Sequence, residues 1–181
     1  MIRWAVIPFF CSAWAAAQTY PTLNLQTVDG ASVSVSTAGK ITAVVFISTK
    51  CPVSNDYNDR MSALYNDYHG KGVQFVFVNS NQNESGAEVA AHAKEVSFPF
   101  TVYKDAGNKV ADQFRAEVTP QVYLLGKDSS VIYRGAIDDA RNAARVTRQP
   151  LRDALDAVLA GKAVPAAETK AFGCTIKRVQ T

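Results

Sequence analysis

Cys51 stands where thiol chemistry is easiest to arrange. The run Ile41-Thr42-Ala43-Val44-Val45-Phe46-Ile47 is continuously apolar and β-branched, the pattern of a strand buried on both faces. It ends at Ser48-Thr49-Lys50, and Pro52 then opens a helix, a position where proline is favoured because the first helical N–H groups have no partner. Unpaired N–H groups and the helix dipole favour a thiolate at Cys51, and Lys50 adds a cation next to it. The competing reading of Cys51 is a small buried hydrophobe, the commonest environment of a free cysteine.

The second sulfur to consider is Cys174, far downstream in a tail whose Phe172 and Ile176 are able to dock on a core. The third cysteine, Cys11, lies in a stretch with a short basic start, an apolar run from Trp4 to Phe10 and a small-residue exit at Ala15-Ala16-Ala17. That is the pattern of a secretory leader cleaved near Ala17, with the mature chain starting near Gln18. The apolar run is shorter than the roughly 20 residues a membrane span requires. Pro8-Phe9-Phe10 before Cys11 does not suit a lipidated cysteine. The expectation is a periplasmic or secreted protein with no membrane span in its mature chain. In an oxidising compartment Cys51 and Cys174 are then either partners or strangers. If Cys174 is held on the far side of the sheet, Cys51 works alone with an external thiol. If it reaches back, it is the partner, and that is the reading preferred for two cysteines left in such a compartment.

Periodicity supplies the elements that must position these residues. Tyr20 to Ser36 alternates about Asp29-Gly30 and reads as a β-hairpin at an edge. Val53, Tyr57, Met61, Leu64 and Tyr68 recur in steps of three and four before Gly70, which predicts one helix of about four turns. A buried strand follows over 73–78, a helix over 84–96, a short strand over 100–103 and a short helix over 108–114. Strands at 121–125 and 131–133 flank the turn Lys127-Asp128-Ser129, and Leu151, Leu155, Val158 and Leu159 mark the last helix. The order β-α-β-α-β-α-β-β-α implies an α/β fold with a mixed sheet covered on both faces. The expected organisation is a leader over 1–17, one domain over 18–160 and an extended tail over 161–181.

Composition narrows the function. The chain has 181 residues, 48% of them hydrophobic and 19% charged, so it suits one packed domain rather than a disordered or repetitive chain. Its net charge is only +3 and no basic run exceeds Lys177-Arg178, which argues against nucleic acid as a partner. Two cysteines and two histidines do not make a zinc site. No metal or cofactor is called for. His69, before Gly70, reads as a helix C-cap, and His92, with Glu88 and Glu95 nearby, as part of a solvated face. Asp138-Asp139 reads as a set of ion pairs with Arg134, Arg141 and Arg145 rather than a cation site. Phe46, Phe75, Phe77 and Tyr123 read as core.

The segment Phe46-Ile47-Ser48-Thr49-Lys50-Cys51-Pro52-Val53-Ser54 resembles the active-site segment of the thioredoxin superfamily, and Val118-Thr119-Pro120 resembles its second landmark, a cis proline packed beside the reactive cysteine. Phe98-Pro99-Phe100, the run from Val131 to Asp139, Leu151 to Leu155, and Phe172-Gly173-Cys174-Thr175-Ile176-Lys177 are similar to a peroxiredoxin-like redoxin group, of the alkyl hydroperoxide reductase and thiol-specific antioxidant type. That group often ends with Pro-x-x-x-Thr-x-x-x-Gly-Cys-x-Ile-Lys. The resemblance implies a thioredoxin-like fold with an N-terminal hairpin, a reactive Cys51 and a Thr119-Pro120 loop that presents its backbone to a bound partner. Two departures bear on the chemistry. Ser54 stands where reductive relatives have a second cysteine, so local dithiol exchange is excluded. Ser48 supplies the hydroxyl of the peroxidatic pattern, but Val44 stands at its proline position. Some relatives have a cysteine just before the Thr-Pro, where this chain has Val118.

The expected function is an exported thiol-disulfide oxidoreductase with Cys51 as nucleophile and Cys174 resolving the intermediate. Its partners would be a disulfide-bearing protein or a peroxide, with an external thiol as reductant. The alternatives are a thiol peroxidase with Cys51 peroxidatic, a copper-handling protein on the same fold, and a structural protein with a stapled tail.

Overall fold

The computed structural model describes residues 18–180, so the expected leader lies outside the described residues. A seven-stranded mixed sheet has the order β2-β1-β5-β4-β3-β7-β8. β1 (Thr22–Gln26) and β2 (Ser32–Ser36) form the predicted edge hairpin, and β1 also meets β5 (Val102–Lys104) in antiparallel sense. β3 (Ile41–Ile47) lies between β4 (Val73–Asn79), which is parallel to it, and β7 (Gln121–Leu125), which is antiparallel. β8 (Val131–Gly135) closes the other edge through a bulge at Leu124/Leu125. All seven residues of β3 are buried, as its continuous apolar pattern requires.

The pleat of β3 divides the core in two. Ala43, Val45 and Ile47 face a cluster with Met61 and Leu64 of α2 (Asn58–Tyr68), Val89 of α3 (Gly86–Glu95), and Leu151 and Leu155 of α5 (Pro150–Leu159). Val44 and Phe46 face Val110, Ala111 and Phe114 of α4 (Lys109–Phe114), with Tyr20 stacked on Phe114. Helices therefore cover both faces, as the element order implies. Among the described residues no helix is long and apolar enough to cross a membrane.

Four expectations are corrected. The single helix after Pro52 is divided into α1 (Pro52–Asn55) and α2, interrupted at Asp56 and Tyr57. Both interrupting residues keep right-handed helical φ, so the apolar spacing survives the break. The interruption falls on Tyr57, which is buried and donates its hydroxyl to Asp138 at 2.8 Å. The third helix starts at Gly86, not Glu84, because Ser85 and Glu88 form a capping box and Glu84 turns inward. The strand placed over 100–103 is β5, and Phe100 before it is committed to stacking on Phe77 and Phe98. The aspartates find other cations. Asp138 pairs with Arg60 at 2.7 Å and Asp139 with Arg148 at 3.5 Å, while Arg134 goes to Glu168 and Arg141 to Asp56. These partners belong to different elements, so chain proximity does not reveal them. His69 does cap α2, stacking on Tyr65, whereas His92 is partly covered, edge-on to Phe98.

Candidate active site

Cys51 is the N-cap of α1 and is 2% exposed. Its sulfur accepts the Ser54 backbone N–H at 3.3 Å, and its own N–H donates to Ser48 Oγ at 3.1 Å. The sulfur also lies 3.4 Å from the Thr119 carbonyl oxygen. The Thr119–Pro120 bond is cis, and both residues are buried. Because α1 has only four residues, the dipole argument reduces to the direct hydrogen bond from Ser54. Ser54 thus has a second use: its amide serves the sulfur and its hydroxyl accepts the Ser48 N–H at 3.1 Å.

Lys50 does not act as a local cation for Cys51. Its ammonium donates to the Asn83 carbonyl at 2.6 Å and pairs with Glu88 at 2.8 Å. Glu88 sits in the first turn of α3, where an anion complements the free N–H groups, and Lys50 pins the cysteine turn to that helix.

The residue that sequence reasoning missed is Glu84. It is 3% exposed, and its carboxylate accepts from Ser48 Oγ at 2.5 Å, the Thr49 amide and hydroxyl at 2.8 Å each, the Lys50 amide at 3.4 Å and Asn79 Nδ2 at 2.6 Å. Burial pushes this carboxyl up, but the hydrogen bonds from Ser48, Asn79 and Thr49 outweigh it and hold the group below the ordinary carboxylate range. Glu84 therefore stays charged and fixes the three residues before Cys51. A signal for it did exist. β3 and β4 pair in parallel from Ile41/Val73 to Ile47/Asn79, so whatever follows Asn79 lies beside the Cys51 turn at the carboxyl end of the sheet. A carboxylate in that loop has few alternatives to the turn's free donors.

Cys174 comes back to Cys51. The two sulfurs are bonded, with Cα atoms 5.8 Å apart at a sequence separation of 123. The tail that carries Cys174 is bound along its length. Thr169 docks on β8, donating its N–H to the Arg134 carbonyl at 3.0 Å and accepting the Ala136 N–H at 3.1 Å. Phe172 packs on the first core cluster, edge-on to Tyr57, and Ile176 is buried in the second. Between them β9 (Cys174–Thr175) pairs antiparallel with β6 (Val118–Thr119), placing Cys174 opposite Thr119. Asn81 and Gln82 then hold both backbone groups of Lys177. The loop after β4 thus contacts both cysteine segments, one through Glu84 and the other through Asn81 and Gln82.

Gly173 permits the crossing. A Cβ at this position would overlap the Thr119 carbonyl oxygen, and φ is +157°. Gly173→Ala is expected to push β9 off β6, costing about 2 kcal/mol as an overpacking change and reducing the yield of the disulfide. Free-thiol titration after air oxidation checks this, and a full disulfide yield in the variant would show that the close approach is not required.

The model of the AhpC/TSA family matches residues 16–134. An uncharacterized conserved protein from Geobacillus kaustophilus superposes with a TM-score of 0.83 at 33% identity, covering 91% of this chain and 93% of its own. A hypothetical protein from Sinorhizobium meliloti 1021 gives 0.82 at 29% identity, covering 91% and 95%. A thiol:disulfide interchange protein of the thioredoxin family from Chlorobium tepidum gives 0.58 at 20% identity, covering 70% and 90%, a likeness of fold. No curated protein matches the chain.

Proposed function

The chain belongs to the AhpC/TSA family, and from that premise we propose that it is an exported thiol-disulfide oxidoreductase that cycles Cys51 and Cys174 between disulfide and dithiol. The observation that carries this reading is the bond between them, made by two segments each held in place by its own contacts. The Ser54 amide is aimed at the Cys51 sulfur and offers a thiolate there a direct hydrogen bond. The Thr119 carbonyl before the cis Pro120 lies against the sulfur, and Thr119 receives the Cys174 strand. The partners are protein thiols or disulfides, with an external thiol returning the pair to the dithiol. Export rests on the leader pattern of residues 1–17, and an exported chain whose intact mass begins at Gln18 would support it.

Peroxide chemistry is the second reading, and the surroundings of Cys51 favour it less. A peroxide needs a free hydroxyl beside the thiolate, whereas the Ser48 proton is committed to Glu84 and the Ser48 oxygen to the Cys51 amide. A copper-handling role gains nothing from two sulfurs joined to each other. The deciding measurement is the oxidised chain's rate with a reduced dithiol peptide, compared with the reduced chain's rate with hydrogen peroxide. Dithiol exchange is expected to be faster by about a hundredfold or more at equal concentration. A reversed ratio would replace this function with the peroxidase.

A further inference from the structure

We propose that an incoming thiolate opens the disulfide at Cys174, so that Cys174 carries the mixed disulfide and Cys51 is the thiolate released. This rests on the oxidoreductase reading and concerns the order of events at the same pair. Exchange requires an attacking sulfur to reach one sulfur of the bond while the other departs. The two ends of this bond differ in access. Cys51 is 2% exposed, and its sulfur is wedged between the Ser54 amide and the Thr119 carbonyl. Cys174 is only partly buried, and its neighbours Gly173 and Thr175 are exposed.

The strand pairing closes the remaining approach to Cys51. The edge of β6 is filled by the chain's own β9, and the tail does not swing away readily while Ile176 is buried and Lys177 is held at both backbone groups. A partner therefore meets the outer side of the tail first, where Cys174 lies.

The leaving group points the same way. The sulfur that departs does so faster when its thiolate is stabilised, and the Ser54 N–H already bonds to Cys51 Sγ at 3.3 Å. The step balances: the incoming thiolate bonds to Cys174 Sγ, the bond between Cys174 and Cys51 breaks, and the electron pair leaves on Cys51. A second thiolate of a dithiol partner then attacks the partner's own sulfur in the mixed disulfide. This frees Cys174, oxidises the partner and reduces the pair by two electrons. In the reverse direction the Cys51 thiolate attacks the Cys174 sulfur of the mixed disulfide, which makes Cys51 the nucleophile of ring closure.

The test mixes the oxidised chain with reduced glutathione, quenches at graded times with acid and N-ethylmaleimide, and maps the adducts by peptide mass spectrometry. At the earliest times glutathione is expected on Cys174 and N-ethylmaleimide on Cys51, with a bias of about tenfold or more. Glutathione on Cys51 from the earliest time overturns the proposal and leaves the oxidoreductase function standing. A disulfide that neither glutathione nor dithiothreitol opens would overturn the function itself, and the proposal with it.

Discussion

Cys174→Ser is expected to lower turnover in dithiol exchange by about two orders of magnitude or more and to remove the largest single covalent contribution to stability. The bond closes a loop of 123 residues, for which the chain-entropy account gives a stabilisation on the order of 5 kcal/mol. The two effects separate because the tail does not depend on the disulfide alone. Ile176 is 3% exposed, and its burial contributes roughly 2 kcal/mol, alongside the backbone bonds to Glu117, Asn81 and Gln82. The serine variant should therefore fold with β9 in place, and its urea midpoint should coincide with that of the reduced wild-type chain. Urea unfolding of the oxidised, reduced and Cys174→Ser forms checks this. An oxidised chain no more stable than the variant would mean that the loop carries none of the assigned stabilisation. A variant that retains dithiol turnover would remove Cys174 from the chemistry.

Local pattern and chain order made part of this molecule readable. The buried run Ile41–Ile47, the turn to Pro52 and the apolar steps of the helices are all set within a few residues, so they hold whatever surrounds them. The tail motif was readable as a pattern, and its physical content emerges position by position: Thr169 docks on β8, Gly173 crosses the Thr119 carbonyl, Cys174 bonds to Cys51, Ile176 is buried and Lys177 is held by the loop after β4. What was not readable depends on which strand ends lie side by side. Lys50 directly precedes Cys51 and by sequence reads as its cation, yet its ammonium reaches α3. Asp138 has arginines close to it in sequence, yet its partner Arg60 comes from α2, 78 residues away. Tyr57 interrupts a helix without disturbing its apolar spacing, because the residues at the break stay in the right-handed region. In each case a tertiary partner outbids a neighbour in sequence, and periodicity does not report tertiary partners.

Glu84 is where that blind spot costs most, and replacing it should have the larger structural effect. Glu84→Ala leaves the Ser48 and Thr49 hydroxyls, the Thr49 amide and Asn79 Nδ2 without their acceptor in a buried site, a loss of about 3 kcal/mol or more. Glu84→Gln keeps the volume and one acceptor oxygen, and it isolates the charge. The carboxyl titrates lower in the folded chain than in the unfolded one. Its contribution is therefore complete above the unfolded value of about 4.3 and disappears as pH falls through the folded value. Wild type should lose this stability on acidification below about pH 4.3, and the glutamine variant, already without it at neutral pH, should show a shallower acid limb. The difference between the two unfolding curves, measured from pH 7 to pH 2, should be largest at neutral pH and shrink as the medium becomes acid. A constant difference across that range would mean that Glu84 holds the Cys51 turn by shape alone. A difference that grows toward acid would contradict the direction of its titration and, with it, the account of the carboxylate as the charged anchor of the turn.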